Sequence, residues 1–470
     1  MVDFSLFVQS DAFQPLVQEN LLEQQFEESL FPELLFRNLV TKSEKWISHL
    51  GDTKLFTADG LLKPKTKPKV ADVDPTPSVT QKEQWAATLQ QWDDTQDVKM
   101  VGDYLAIASL FLRATINSGL QAGRSLNRII RDRFFNMAEA GWTVADGAQS
   151  ATTSLKVKRL NGFTTARNTN AGGSLVRHDP ITSSNYLDIE VWDTSGSPAY
   201  VSRRAIAFEA DDPNDQLGPG TLTLNSAVTV ADRAVVKAGN RTYVTRVGGG
   251  DKTDDIGSTD IPTMDTVSDM VGRMRQSLVP EMGDGTYHCH MDPRSEILLF
   301  KDPAFQNLHR GTVFESEAYA KLAITRMLGC TFYRNVDNPL DSTVDGGATA
   351  TYDEPFAPEL WSNGNASTGV RMHRMLFVGA GAMREYVSDL SELLTEAGVQ
   401  GKVSNNAVAT PNGIELNVRG VQWLLRAPQN RTMDVCAVTW KFMGTWVARP
   451  DSMTGDRAKY KRVGVAIHGE

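Results

Sequence analysis

His288-Cys289-His290, with Asp292 two positions on, is the one run in this sequence with the composition of a metal site. Two imidazoles at i and i+2 of an extended segment point the same way, and imidazole and thiolate suit borderline metals. The same alternation turns Cys289 away from both histidines, and no second pair of ligands follows at a zinc-site spacing. Alternating residues of a half-buried strand before a capped helix explain the run more simply, so no metal is expected. Val378-Gly379-Ala380-Gly381 supplies the first two glycines of a phosphate-cradling turn. The third glycine and a later acidic residue are missing, which leaves a tight strand-to-helix turn as the expectation. No Gly-x-Ser-x-Gly elbow occurs, and the seven histidines single out no general base. Paired carboxylates such as Asp93-Asp94 and Asp211-Asp212 sit in polar, turn-rich stretches. No catalytic group and no cofactor is therefore expected, and the chain reads as a non-enzyme.

One local charge pattern stands out. Lys63, Lys65, Lys67 and Lys69 alternate with Pro64, Thr66 and Pro68 in an otherwise acidic chain. Such a tip can bind a phosphate backbone, although four lysines without aromatics or arginines make a small patch. It can also dock on an acidic surface of a neighbouring copy, or be a solvated loop tip. Docking is the favoured reading, with residues 1–50 (eight acidic, three basic) as the acidic surface.

The elements around these residues follow from periodicity and punctuation. Residues 1–50 carry short apolar clusters between Gln18 and Val40 and read as an arm that needs another surface to lie on. Residues 51–103 are broken by glycines and prolines and read as an extended two-stranded excursion, Trp85–Trp92 and Asp97–Val101 lying on its return. Across 104–142, Leu112, Ile116, Leu120, Gly123, Leu126, Ile130, Phe134 and Met137 trace one face of a long helix. Arg113, Arg124, Arg128, Arg131 and Asp132 lie off that stripe, and Gly119 and Gly123 imply a bend or the close approach of another backbone. Residues 143–262 switch to β composition with frequent turn pairs.

From 263 to 410 the pattern is mixed. A helix from Met264 to Leu278, a strand at Thr286–Met291, and a helix capped by Asp292 with Pro293 at N1 are expected. A further helix is expected at Ser316–Leu328, strands at Cys330–Arg334 and Met372–Val378, and a helix at Ala382–Ala397. Residues 411–470 read as two long strands, Gly413–Arg426 and Thr432–Val447, with a last extended run at Arg457–Val463.

Composition removes several classes. The chain has 470 residues, a net charge of −9 and 41% hydrophobic residues, enough for two to three domains and too ordinary for a disordered or collagenous chain. The absence of a basic excess argues against binding nucleic acid by bulk charge. No run approaches a membrane-spanning length, and Met1–Phe13 lacks the pattern of a secretion signal. Three scattered cysteines, Cys289, Cys330 and Cys436, give no disulfide framework.

In its order of parts the chain resembles the major capsid proteins of tailed bacteriophages, which have the Hong-Kong-97-type capsid fold. The resemblance rests on the acidic arm, the extended loop, the long spine helix, and an α+β domain containing Thr286–Pro293 and Leu322–Tyr333. Val438–Trp446 and Arg457–Val463 resemble the last strands of that family's peripheral domain. It implies an α+β fold with arm (1–50), extended loop (51–103), spine helix (104–142), axial domain (263–410) and peripheral strands (411–470). Residues 143–262 exceed the minimal fold and are expected to form a β-rich insertion domain.

The resemblance further implies a self-assembling icosahedral head shell around double-stranded DNA, held without sequence-specific contacts. Its partners would be itself, in hexamers and pentamers, then a portal protein, a separate scaffolding protein and, as an option, a decoration protein. Its place would be the virion, after synthesis in the bacterial cytoplasm, with no membrane involved. Some relatives weld subunits through a Lys–Asn bond, but neither a matching Asn nor an activating Glu is identifiable here, and no crosslink is expected. The competing readings are a cellular nanocompartment subunit of the same fold, a metal-dependent enzyme using His288 and His290, and a β-rich adhesion or tail protein.

Overall fold

A computed structural model describes residues 21–30, 35–40, 42–46, 53–59, 82–99, 110–137, 142–158, 163–167, 178–192, 200–212, 218–232, 234–238, 244–248, 256–276, 279–310, 326–335, 372–388, 407–410, 413–418, 420–426, 435–448 and 462–469, with a few single positions besides. Along the chain, α1 (Leu21–Leu30) and a 3-10 turn (Phe36–Leu39) precede β1 (Lys42–Lys45), β2 (Thr53–Asp59), β3 (Lys82–Thr88) and β4 (Gln90–Lys99). Then comes α2 (Leu110–Met137), followed by β5 (Trp142–Val144), β6 (Gln149–Val157), β7 (Thr165–Arg167) and β8 (His178–Pro180). β9 (Leu187–Trp192), β10 (Tyr200–Ala210), β11 (Gly220–Val230), β12 (Val235–Ala238) and β13 (Val244–Arg246) continue the β-rich stretch. The mixed part holds α3 (Met264–Gln276), β14 (Tyr287–Met291), α4 (Pro293–Phe300), α5 (Pro303–Arg310), β15 (Arg326–Met327) and β16 (Cys330–Arg334). It ends with β17 (Met372–Val378), β18 (Met383–Val387), β19 (Ala407–Thr410), β20 (Gly413–Val418), β21 (Val421–Arg426), β22 (Val435–Ala448) and β23 (Val463–Gly469). The fold is α+β, and the chain divides into two compact units.

The first unit comprises residues 1–54, 87–130 and 384–447. Its sheet runs β1-β18-β22-β21-β20-β19, with β4 also paired to β22. β22 has fourteen residues and serves three partners, β18, β21 and β4; β4 lies antiparallel to it from Lys99↔Val435 to Gln90↔Gly444. Trp92, Phe442 and Trp446 pack together at ring distances of 5.2 to 6.0 Å, which fixes that register with large apolar side chains. In α2 the buried positions here include Ala114, Thr115, Ser118, Gly119, Ala122, Leu126, Asn127 and Ile130, while Leu112, Ile116 and Leu120 are only half-buried. The expected leucine stripe is thus rotated toward the small residues in the first half of the helix. The cause is α1: a Cβ added to Gly119 would lie 1.9 Å from Ser29 Oγ and 3.0 Å from the Phe26 carbonyl oxygen.

The described part of the arm, residues 21–30, 35–40 and 42–46, packs within this same unit. Phe26, Ser29 and Leu30 are buried, and Phe26 packs against Trp423 at 6.4 Å. The Phe36 N–H donates to Asn127 Oδ1 at 2.9 Å.

The second unit comprises residues 55–86, 131–383 and 448–470. One six-stranded sheet runs β5-β12-β9-β10-β11-β6, and β7 pairs β8. Leu155, Phe163, Leu187, Ile189, Val191, Leu222 and Val236 fill its core. The other sheet runs β13-β23-β17-β14-β16-β15. Val267, Met270 and Met274 of α3 bury their face against Cys289, Met375, Phe377 and Ala466 of its strands. β13 lies in the residues read as β insertion, yet pairs parallel with β23 of this mixed sheet. A buried ion pair ties the two sheets, Arg246 Nη2 standing 3.0 Å from Glu190 Oε2. Arg131, expected off the apolar stripe of α2, is 4% exposed.

Three other expectations fail locally, and one helix goes unforeseen. Arg326–Leu328, the expected end of a helix, is β15 and its turn: Leu328 (φ 50°) and Gly329 (φ 78°) form a two-residue hairpin loop into β16. The rest of that expected helix, residues 316–325, lies outside the described residues. Met383–Val387 is a strand and not the start of a helix; residues 389–397 lie outside the described set. Gly413–Arg426 is a hairpin and not one strand, because Gly420 takes φ 83° and its N–H is held by Asn417 Oδ1 at 3.0 Å. Finally, α5 was not anticipated, although Asp302-Pro303 repeats the Asp-Pro start of α4.

Candidate functional site

The lysine run is joined to the chain by β2 and β3. Among the described residues these strands pair only with each other, while β4, one residue after β3, joins the seven-stranded sheet. Leu55 on β2 is 54% exposed. Of the four lysines, Lys65 is described and exposed; Lys63, Lys67 and Lys69 lie outside the described residues.

The metal-like run is placed as alternation predicts, but its side chains have other work. Tyr333 covers both imidazoles, 4.9 Å from His288 and 5.1 Å from His290. His288 Nε2 lies 3.2 Å from Asp284 Oδ2. Burial, then the nearby His288, pushes His290 down to about 3, so it stays neutral through the physiological range. Cys289 is fully buried on the opposite side, where burial raises its thiol well above the ordinary range. Among the described residues no three His, Cys, Asp or Glu side chains are grouped to hold a metal ion.

The glycine turn links two strands, β17 and β18, and not a strand and a helix. Its amides are already engaged: Gly379 N–H donates to Arg462 O at 2.8 Å and Ala380 N–H to Pro280 O at 2.9 Å. The Arg462 guanidinium donates to Ala380 O at 2.8 Å and occupies the space beside Gly381. A phosphate would find neither the donors nor the room.

Asp292 does what its Pro293 neighbour predicts, capping α4 by accepting from Arg294 N–H at 3.2 Å. It also anchors a cluster that the sequence does not display. Its Oδ2 lies 2.8 Å from His373 Nδ1, and its Oδ1 accepts a short hydrogen bond from the Ser295 hydroxyl. Ser295 Oγ is in turn 2.8 Å from His468 Nε2, and the rings of His373 and His468 stack at 5.4 Å. Burial works to raise the Asp292 carboxyl, but His373, Ser295 and His468 together bring it below its ordinary value. Ser, His and Asp side by side invite a hydrolase reading. Ser295 and His468 are 0% exposed and His373 1%, so no substrate reaches the hydroxyl. The signal missed was long-range: Ser295 and His468 are 173 positions apart.

No family model and no curated protein matches this chain. Among solved structures it is similar to the capsid of cyanophage Pam1, at 10% identity and TM-score 0.47, covering 94% of this chain and 92% of that one. It is also similar to the capsid of Ralstonia phage GP4 (11%, TM-score 0.43, 91% and 85% covered). A third likeness is to the capsid of cyanophage P-SCSP1u (8%, TM-score 0.45, 92% and 87% covered). At about a tenth identity, no residue role passes from those capsids to this chain. No described helix is long and apolar enough to cross a membrane.

Proposed function

We propose that this chain is the major capsid protein of a tailed phage, a non-enzymatic subunit with the Hong-Kong-97-type fold that assembles into a closed icosahedral head. The observation that carries the reading is the β2–β3 ladder, which among the described residues joins no larger sheet and bears a half-exposed leucine. An isolated two-stranded ladder is marginal in water. Ordering it together with the 22 residues between its strands costs about 1–2 kcal/mol per residue. Contact with a second copy supplies the missing burial, and head-to-tail contacts of this kind close into rings when the rotation permits.

In this reading Lys63, Lys65, Lys67 and Lys69 meet an acidic surface of a neighbouring copy in hexamers and pentamers. The shell encloses double-stranded DNA without reading its sequence, in keeping with a chain of net charge −9. A portal protein, a separate scaffolding protein and optionally a decoration protein complete the head, which is made in the bacterial cytoplasm and ends in the virion. The arm–tip contact is tested by changing all four lysines to Glu. The variant should keep the subunit's circular dichroism and lose assembly; normal shells from it would refute the contact.

A further inference from the structure

We propose that Asp292, Ser295, His373 and His468 form an acid-sensitive latch on β23, independent of whether the chain builds shells. The four residues join three elements of the mixed sheet: the start of α4, β17 and β23. His373 and His468 are register partners in neighbouring strands, and every residue of β23 is buried.

Proton counting follows from the hydrogen bonds. The Ser295 hydroxyl donates its hydrogen bond to the Asp292 carboxylate, so His468 Nε2 must donate to Ser295 Oγ. His468 Nδ1 lies 3.3 Å from the Gly469 carbonyl oxygen, which only accepts. Both nitrogens of His468 therefore face acceptors, and the ring is set to carry a charge. His373 Nδ1 donates to Asp292, whose single negative charge balances that one imidazolium. A second proton, on His373, would put two positive rings face to face against one carboxylate in a dry site.

The surrounding charges do not relieve this. Glu296 on α4 is committed to Arg334 of β16 at 2.6 Å. Arg294 on α4 adds positive charge. Arg374 alternates with His373 and lies on the other face of β17. On the segment against the end of β23, the Asp260 carboxylate binds Gly257 N–H at 2.7 Å, while its carbonyl accepts from Gly469 N–H. Asp302, between α4 and α5, accepts from Met264 N–H at 2.7 Å and Ala304 N–H at 3.0 Å. Of the other histidines on this sheet, His290 stays neutral and His288 lies on the opposite face.

Released from the site, both histidines bind protons below about pH 6.5. The open state then holds one proton more than the closed state. Below about pH 6.5 opening of β23 therefore becomes more favourable as pH falls, by about tenfold per pH unit; above it the closed state holds the extra proton, on His468, and the dependence reverses.

The test is hydrogen exchange of the full-length chain between pH 8 and pH 5, corrected for the intrinsic pH dependence of exchange. Amides of β23 should lose protection about tenfold per pH unit below pH 6.5, while those of β21 and β22 stay level. His373→Gln should flatten the slope and His288→Gln should leave it unchanged. A wild-type β23 without the slope, or a slope that survives His373→Gln, overturns the latch. Should His373→Gln fail to fold, nitrogen-15 histidine spectra of the wild type decide. Two protonated nitrogens on His468 and one on His373 at pH 7.5 support the latch; two neutral rings overturn it.

Discussion

Glu385 accepts from Arg37 Nε at 2.8 Å and from Trp446 Nε1 at 3.1 Å while only 2% exposed. Removing the carboxylate leaves a buried guanidinium and an indole N–H without it, so Glu385→Ala should cost about 3–5 kcal/mol in urea unfolding. A loss under about 1 kcal/mol would mean the arm is held by apolar contact alone. Asp302 accepts from the first amides of both α3 and α5, and Asp302→Ala should cost about 1–3 kcal/mol, more than a single cap. At this scale the sequence is legible where the signal is local. Asp292-Pro293 announces a capped helix because cap and first turn are adjacent. His373 and His468 announce nothing, because their partners lie 81 and 173 positions away.

Elements were legible where the apolar period is long and the punctuation strong. The long helix at 110–137 and the strand at 330–334 emerge where periodicity places them. Met383–Val387 misleads because a short mixed run after a glycine turn fits a helix start as well as a strand. Pairing with β1 and β22 decides it, and neither partner is near in sequence. The small-residue face of α2 was readable only as a hint at Gly119 and Gly123; its partner α1 makes sense of it. Gly119→Ala should therefore destabilise the chain by about 1–3 kcal/mol through crowding at Ser29 and the Phe26 carbonyl. Adding Ser29→Ala should restore part of that loss in thermal unfolding. No loss in the single variant would show that α1 can move aside.

Across the whole molecule, the 470 residues, with their net charge of −9, divide into two units, and the β2–β3 ladder joins none of the larger sheets among the described residues. The seven-stranded sheet draws on three separated stretches of chain, a topology that composition and periodicity do not encode. Replacing residues 60–81 by a two-residue Asn-Gly turn should leave the urea midpoint unchanged, because the described core residues lie elsewhere, and should abolish assembly. A lowered midpoint would make that segment part of the subunit's own fold. The central claim is self-assembly, and electron microscopy of the purified chain at high concentration tests it directly. Closed shells or capsomer rings are the predicted result, and a persistent monomer would contradict it.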